Sequence, residues 1–245
     1  MQSTSSVLVT TSLLPALVCS LAFSQSNAPH LTSIVQQVEK AQPESRPKDS
    51  YQVIRRYRVF GSDSGKITSE VVAEVNFQPP SNKSYVIQQA SGNRHGENVV
   101  RHILDHEVES QAKEARSVAV SHDNYDFTYL GESAAGGQPC FLLGLTPKRK
   151  EKGLVSGRAW VDKSSYLIRQ IEGELVKSPS FWIKKVHVTL DFGNIRGTWL
   201  QTAMEAVADI RFLGSQTLKS ELVDYRSNAL VAGRTPPLSR LHTGR

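Results

Sequence analysis

The sequence of 245 residues predicts a mainly β (α+β) protein, in which a large curved antiparallel sheet forms an open or half β-barrel covered by one long and one short helix. Three observations predict this class. Gly153–Arg226 holds five strand-like segments separated by short turns, and in most of them apolar residues alternate with polar ones. Asn98–Ala115 repeats its apolar residues with the helical period instead. Alternation gives each strand one apolar and one polar face, which is typical of an antiparallel sheet with one wet side.

The first predicted elements are a short helix and a hairpin. Leu31–Ala41 spaces its apolar residues as a short amphipathic helix does. Tyr51–Phe60 and Lys66–Gln78 read as two strands, and Gly61–Gly65 has the glycine and serine content of the turn between them. Ser84–Gln89 is expected to add a further short strand.

The long helix comes next. Val100, Leu104 and Val108 recur on one side of Asn98–Ala115, and Asn98 is suited to cap the start of the helix. A helix inserted in a run of strands is expected to pack on the sheet as a lid. These three apolar residues are therefore the lid candidates.

Seven further strands are predicted after the helix. They are Tyr125–Gly131, Pro139–Thr146, Ser156–Asp162, Tyr166–Glu174, Phe181–Phe192, Trp199–Phe212 and Gln216–Tyr225. In the last of them the apolar residues shift from even positions such as Leu222 to odd ones, Val223 and Tyr225. A shift by one residue predicts a β-bulge, because the extra residue restores the apolar face.

The N-terminal segment has the composition of an export signal. Residues 1–24 contain no Asp, Glu, Lys or Arg, and Val7–Phe23 is an apolar run followed by a small residue. This predicts a secretory signal peptide cleaved before Gln25. Val18 occupies the place where a lipobox needs a small residue before Cys19, which favours soluble export over a lipid anchor. We therefore expect a periplasmic or otherwise exported protein.

The rest of the chain is expected to form one domain and a tail. Residues 25–226 carry the predicted helices and strands, whereas residues 227–245 are rich in Gly, Pro, Ser and Arg and are predicted to be disordered. No segment after the signal is long and apolar enough to cross a bilayer, so the mature protein is not expected to span a membrane.

The charge distribution argues against nucleic acid as a partner. The formal net charge is +6, but Lys and Arg are scattered over outward strand positions and turns, whereas a nucleic-acid binder concentrates them on one element. The cluster Lys148-Arg149-Lys150 is predicted to be a solvated turn, with an anionic lipid surface as the alternative.

No reaction signature is present. His102 and His106 lie four residues apart on the predicted helix, but Ile103 stands where a zinc peptidase needs Glu, and no third ligand can be identified. Cys140, the single cysteine left after signal cleavage, lies in an apolar strand pattern and is predicted to be an inert buried thiol. We assign no catalytic residue, no metal ligand and no cofactor, and we predict a non-enzymatic protein.

The apolar face of the sheet is the remaining functional feature. A face this long is not covered by its own side chains, and large curved sheets form ligand cavities at the mouth of the barrel or under a lid. The residues predicted to line such a cavity are Val71, Val75, Phe77, Val186, Val188, Leu190, Met204, Ile210 and Phe212.

Four segments resemble a known family. The stretches G-R-A-W-V-D at Gly157–Asp162, I-R-Q-I-E-G at Ile168–Gly173, K-S-P-S-F-W-I-K-K-V at Lys177–Val186 and G-T-W-L at Gly197–Leu200 are similar to the periplasmic lipoprotein-carrier and lipoprotein-sorting family, LolA-like. The resemblance extends over about His30 to Arg226. It implies an open β-barrel with helices over its mouth, a hydrophobic cavity for acyl chains, and an acylated lipoprotein or lipid as partner.

The family also has an arginine in its cavity. Arg55 and Arg158 are the candidates here, although Arg55, on the apolar face of its strand, is also explained as a residue that snorkels to water. The alternative function is an envelope sensor or scaffold that binds a protein partner through an exposed apolar patch. Phe181 and Trp182 are worth probing for that role, although aromatics at the start of a strand more often belong to the core.

Overall fold

The computed structural model describes residues 31–62, 65–109 and 118–227, and within them it omits the side chains of His106 and Glu109. Two helices and ten strands lie in these ranges. They are α1 (Leu31–Glu44), β1 (Tyr51–Phe60), β2 (Ile67–Gln78), β3 (Asn82–Gly92), α2 (Arg94–Glu109), β4 (Tyr125–Ala135), β5 (Gln138–Pro147), β6 (Val155–Asp162), β7 (Ile168–Leu175), β8 (Ile183–Ile195), β9 (Thr198–Ile210) and β10 (Gly214–Ser227).

All ten strands belong to one antiparallel sheet. Their order is β3-β2-β1-β10-β9-β8-β7-β6-β5-β4, so each strand pairs with its neighbour in sequence except at one place, where β1 pairs with β10. This pairing puts the first strand in the interior of the sheet. The edges are β3 and β4, which do not pair with each other, so the sheet is not closed. The predicted fold class is confirmed.

Both helices pack on the same face of this sheet, which we call the inner face. Helix α1 buries Ile34, Val35 and Val38 in a cluster with residues of β4, β5 and β6. Helix α2 buries Val100 and Leu104 in a second cluster with residues of β1, β2, β9 and β10. Each helix therefore covers one side of the inner face, and the strands between the two clusters are left without a helix above them.

The period-two pattern of the sequence is visible in the burial of each strand. In β1 and β2 buried residues alternate with half-buried ones along almost the full length. The predicted bulge in the last strand is confirmed: Ile54 lies opposite Asp224, but Arg55 lies opposite Leu222, so Val223 is the extra residue.

Helix α2 begins four residues before the predicted cap. Asn93 caps it instead of Asn98, since the Asn93 Oδ1 atom accepts a hydrogen bond from the Gly96 N–H at 2.7 Å. Hydrophobic periodicity does not detect this first turn because it contains no apolar residue. The predicted end of the helix, up to Ala115, lies partly outside the described residues.

Three predicted strands extend too far into the adjacent turns, whereas β3 and β4 are longer than predicted. Tyr166 precedes β7, and Phe181 and Trp182 precede β8, in turns that close before the ladder begins. Strand β9 ends at Ile210 and not at Phe212, because residues 211–213 form the turn into β10. Because these turns also contain apolar residues, the sequence pattern overestimates the length of the strands.

The predictions for both chain ends fall mostly outside the described residues. The signal segment, residues 1–24, is among the undescribed positions, as are residues 228–245 of the expected tail. Ser227, assigned to the tail by composition, is the last residue of β10. The predicted turn after β1 lies where expected, with Asp63 and Ser64 outside the described part.

A buried carboxylate organises the turn between β6 and β7. One Asp162 oxygen accepts hydrogen bonds from the N–H groups of Ser164 and Ser165, both at 2.9 Å, and the other accepts one from Arg169 Nε at 2.5 Å. Burial by itself would raise the pKa of Asp162, but these hydrogen bonds outweigh it and hold the pKa well below its usual range.

We expect Asp162→Asn to destabilise the fold by about 1–3 kcal/mol at neutral pH, because the bonds to the charged form are lost. A depressed folded-state pKa contributes stability above the unfolded-state pKa of about 4 and loses it progressively at lower pH. The difference in unfolding free energy between the wild type and Asp162→Asn should therefore shrink below about pH 4. Urea titrations at several pH values measure it, and a pH-independent difference would contradict this account.

We expect Leu104→Ala to destabilise the fold by about 2–5 kcal/mol, since Leu104 is 1% exposed between α2 and the sheet. Urea unfolding provides the measurement. Val86→Ala on the exposed side of β3 is the matched control and should change stability by less than about 0.5 kcal/mol. Equal effects of the two substitutions would show that α2 is not packed as described.

Candidate functional site

A cavity of about 720 Å³ lies on the inner face between the two helix-covered clusters. Its floor includes Val188 and Leu190 of β8 and Met204 of β9, and Ile103 of α2 forms part of its wall. Residues 151–153, after β5, and Lys177, after β7, lie at its rim. The site is therefore an open pocket with an apolar floor, bounded by α2 on one side.

The cavity follows from which strands the helices reach. Helix α2 packs on β2 and β3, and α1 packs on β4, so neither helix lies over the middle strands. On β9 the inner-face positions after Met204 are Ala206 and Ala208, which lie opposite Val188 and Val186 of β8. These alanines pack in a buried cluster with Val186 and Val188, and β9 contributes Gln201 and Met204 to the cavity.

One buried arginine lies among the polar residues that line the cavity. Arg55 is 8% exposed and lies on the inner face of β1, where its Nη2 atom donates a hydrogen bond to the Gln201 carbonyl oxygen at 2.5 Å. Its Nε–H is buried and has no acceptor among the described residues. Arg55 therefore does not snorkel to water, because β1 is an interior strand and the side chain has no short route to the sheet edge.

Helix α2 is fastened to edge strand β3 by polar contacts. Lys83 Nζ lies 2.9 Å from Glu107 Oε1, and the Tyr85 hydroxyl donates a hydrogen bond to Asp105 at 2.6 Å. Burial alone would raise the pKa of Glu107, but the charges of Lys83 and Arg55 outweigh it and lower that pKa. Glu107 is therefore ionised at neutral pH, and it faces the cavity from the last turn of α2.

The residues predicted to line a cavity do not all lie together. Val188, Leu190 and Met204 line the observed cavity. Val71 and Val75 are buried under α2 together with the lid candidates Val100 and Leu104, while the third lid candidate, Val108, is half-buried. Phe77 is buried at the end of β2, where its ring stacks on Tyr51. Val186 is buried beside Val188, Ile210 is half-buried at the end of β9, and Phe212 is exposed in the following turn.

Several cavity residues escape the sequence patterns. Ile103 and Glu107 lie on α2 and Gln201 lies on β9, so they come together only when α2 packs on the sheet. Arg55 is detectable in the sequence, because it is the charged residue on an otherwise apolar strand face. The other arginine candidate, Arg158, faces away from the cavity and pairs with Glu172 at 3.2 Å.

The remaining chemical candidates lie apart from the cavity. Cys140 is fully buried, and burial raises the pKa of its thiol, which agrees with the predicted inert core cysteine. His102 is exposed on α2, and the side chain of His106 is outside the description. In the described ranges no three His, Cys, Asp or Glu residues gather as metal ligands would. Lys148, Arg149 and Lys150 form an exposed turn, as predicted.

Comparison with known proteins gives family and structural similarities. A family model described as "Uncharacterized protein" matches residues 114–227. No curated protein matches the chain. Of the helices in the described ranges, none has the length and hydropathy needed to cross a membrane.

Three solved structures are similar over most of the chain. A DUF1329 family protein from Desulfovibrio piger is 15% identical, with a TM-score of 0.40, over 80% of this chain and 92% of its own. An outer membrane lipoprotein-sorting protein domain from Vibrio parahaemolyticus is 12% identical, with a TM-score of 0.40, over 82% and 98%. A LolA superfamily protein from Nitrosomonas europaea is 14% identical, with a TM-score of 0.35, over 81% and 94%. Two of these names include the lipoprotein-sorting or LolA family that the sequence resembles.

Proposed function

We propose that the protein is an exported, non-enzymatic binding protein that holds an acyl chain or another hydrophobic ligand in the inner-face cavity, as a lipoprotein-sorting or carrier protein does. The observation that carries the proposal is the cavity of about 720 Å³, whose floor is built from Val188, Leu190 and Met204. Its volume lies within the range of about 300–1,000 Å³ that is typical of ligand pockets, and charged side chains such as Arg55 and Glu107 stand beside the apolar floor. The charge-free N-terminal segment supports a periplasmic location.

The energetics suit reversible binding. Each buried methylene contributes about 0.8 kcal/mol, so a 16-carbon chain supplies on the order of 12 kcal/mol before costs. Association costs about 4–15 kcal/mol. A single chain is therefore held weakly enough to be released, and a second chain on the same molecule would raise the affinity. An acylated lipoprotein or a lipid has this chemistry.

Arg55 is a charged hydrogen-bond donor in the cavity, and a purely apolar ligand would not pair with it. Its guanidinium has a neutral carbonyl as hydrogen-bond acceptor and a buried Nε–H without one in the described part of the chain. An unpartnered buried donor is costly, and a carboxylate or phosphate is the strongest acceptor for guanidinium. We infer that the ligand is an amphiphile whose acidic end lies near Arg55 and whose chain lies along β8 and β9.

A second proposal keeps the same fold with a different role, as an envelope sensor or scaffold that binds a protein partner. The exposed aromatics Phe181 and Trp182 favour it, because that role needs an exposed apolar patch. Crosslinking through either residue in the native envelope would identify a stoichiometric protein partner if this role is correct.

The proposed function predicts that the native protein co-purifies with lipid. Organic extraction followed by mass spectrometry should recover an acyl-containing compound, and a fluorescent fatty acid should bind the delipidated chain. Met204→Trp fills the cavity, so probe affinity should fall at least about tenfold, the loss of two or more buried methylenes. Leu130→Trp, on the exposed side of β4, is the matched control and should bind as the wild type does. Equal binding by both variants would contradict the cavity as the site.

The role inferred for Arg55 has its own test. The wild type should bind hexadecanoate more tightly than hexadecanol by about tenfold, as expected for one charge-assisted hydrogen bond. Arg55→Met should bind the two ligands equally, whereas Arg158→Met should keep the preference. Should hexadecanol bind the wild type as well as hexadecanoate does, the cavity would still be a lipid site, but Arg55 would have no part in recognition.

A further inference from the structure

Five large apolar residues project into solvent at one end of the sheet. They come from three separate connections, namely Ile67 at the start of β2, Phe181 and Trp182 before β8, and Phe212 and Leu213 in the β9–β10 turn. The described residues contain eight exposed large hydrophobics, so more than half gather here. Single exposed apolar residues are normal on a protein surface, but five of them at one end of the sheet form a patch. We call these five residues the apolar tip.

Hydrogen bonds hold the three connections together. The Arg211 N–H donates to the Trp182 carbonyl oxygen at 2.8 Å, which joins the β9–β10 turn to the segment before β8. The Ser62 hydroxyl donates to the Leu213 carbonyl oxygen at 2.8 Å, which joins that turn to the β1–β2 connection. The aromatic rings of Phe181 and Trp182 pack edge to face, with centroids 5.7 Å apart. The apolar tip is therefore one surface and not three independent loops.

The backbone at Phe212 points to a role for the side chain. Phe212 is 94% exposed and has a φ of 68°, in the left-handed region that glycine and asparagine adopt most easily. Packing cannot explain a bulky aromatic there, since the ring contributes almost nothing to the core. Turn formation does not explain it either, because Gly or Asn would form the same turn with less strain.

Positive charge surrounds the apolar tip. Arg211 lies 4.8 Å from the centre of the Phe181 ring, and Lys66, Lys177 and Lys184 occupy the flanking positions in sequence. The nearest described carboxylate on β9 is Asp209, which lies 3.8 Å from Lys184. A further pair, Lys185 with Glu174, is neutral overall. Cations therefore outnumber carboxylates around the tip in the described part of the chain.

We propose that the apolar tip docks onto the surface of a lipid bilayer that contains anionic lipids. Trp and Phe are enriched where bilayers meet water, and Lys and Arg beside them attract anionic headgroups. A bilayer fits the tip because its exposed side chains project from turn ends beside basic residues. The rim residues Leu175 and Lys177 lead directly to Phe181, so docking places the cavity mouth beside the lipid. The proposal does not require that the cavity hold a lipid.

Vesicle co-sedimentation of the full chain tests this docking. The wild type should bind vesicles of three parts phosphatidylcholine to one part phosphatidylglycerol more tightly than vesicles of phosphatidylcholine alone, and added salt should weaken that binding. Phe212→Asn combined with Leu213→Ser should reduce the partition coefficient at least about tenfold, because two apolar side chains no longer enter the interface.

Matched controls separate docking from folding. Val86→Ser combined with Leu130→Ser removes two exposed apolar residues on the edge strands β3 and β4, away from the apolar tip, and should bind vesicles as the wild type does. Phe212→Asn should unfold at the same or a higher temperature than the wild type, since Asn accepts the left-handed backbone. Full vesicle binding by the tip variant, or no wild-type binding to either vesicle, would overturn the proposal. A specific protein crosslinked at Trp182 in the absence of vesicle binding would replace the bilayer with a protein partner.

Discussion

Ten strands make a sheet that two helices cannot cover. Neighbouring strands lie about 4.8 Å apart, so the sheet is about 43 Å wide along its curve. A helix with its side chains is about 10–12 Å wide. Helices α1 and α2 therefore cover about half of the inner face, each against its own group of strands. The uncovered middle, floored by β8 and β9, is a direct consequence of this mismatch.

The pairing of β1 with β10 determines what the cavity contains. Because β1 becomes an interior strand, Arg55 lies at the cavity rather than at a sheet edge, and its side chain is almost fully buried. Helix α2 brings Glu107 to the same space and is itself held to β3 by Lys83. The charges of Arg55 and Glu107 are opposite, and their attraction lowers the cost of burying each of them. The result is an apolar floor with a charged wall, which is suited to a molecule with an apolar body and a polar end.

The cavity and the apolar tip lie next to each other. The rim of the cavity and the apolar tip share the connection between β7 and β8, where Lys177 borders the cavity and Phe181 projects outward. The connection between β7 and β8 thus joins the proposed ligand cavity to the proposed membrane-docking surface. The apolar tip is built from turns, whereas the cavity is floored by strands β8 and β9. Substitutions in the apolar tip are therefore expected to change binding more than stability.

Local pattern determined much of this protein from the sequence alone. The alternation of side chains fixed which residues face inward, and it revealed the bulge at Val223 because a one-residue insertion changes the phase of that alternation. Period and composition likewise placed α2 and the buried Cys140. The tertiary structure alone decided that β1 pairs with β10, that Arg55 faces a cavity, and that Phe181 and Phe212 share one surface. These features join residues far apart in the chain, and side-chain periodicity specifies the face of a strand but not its neighbours.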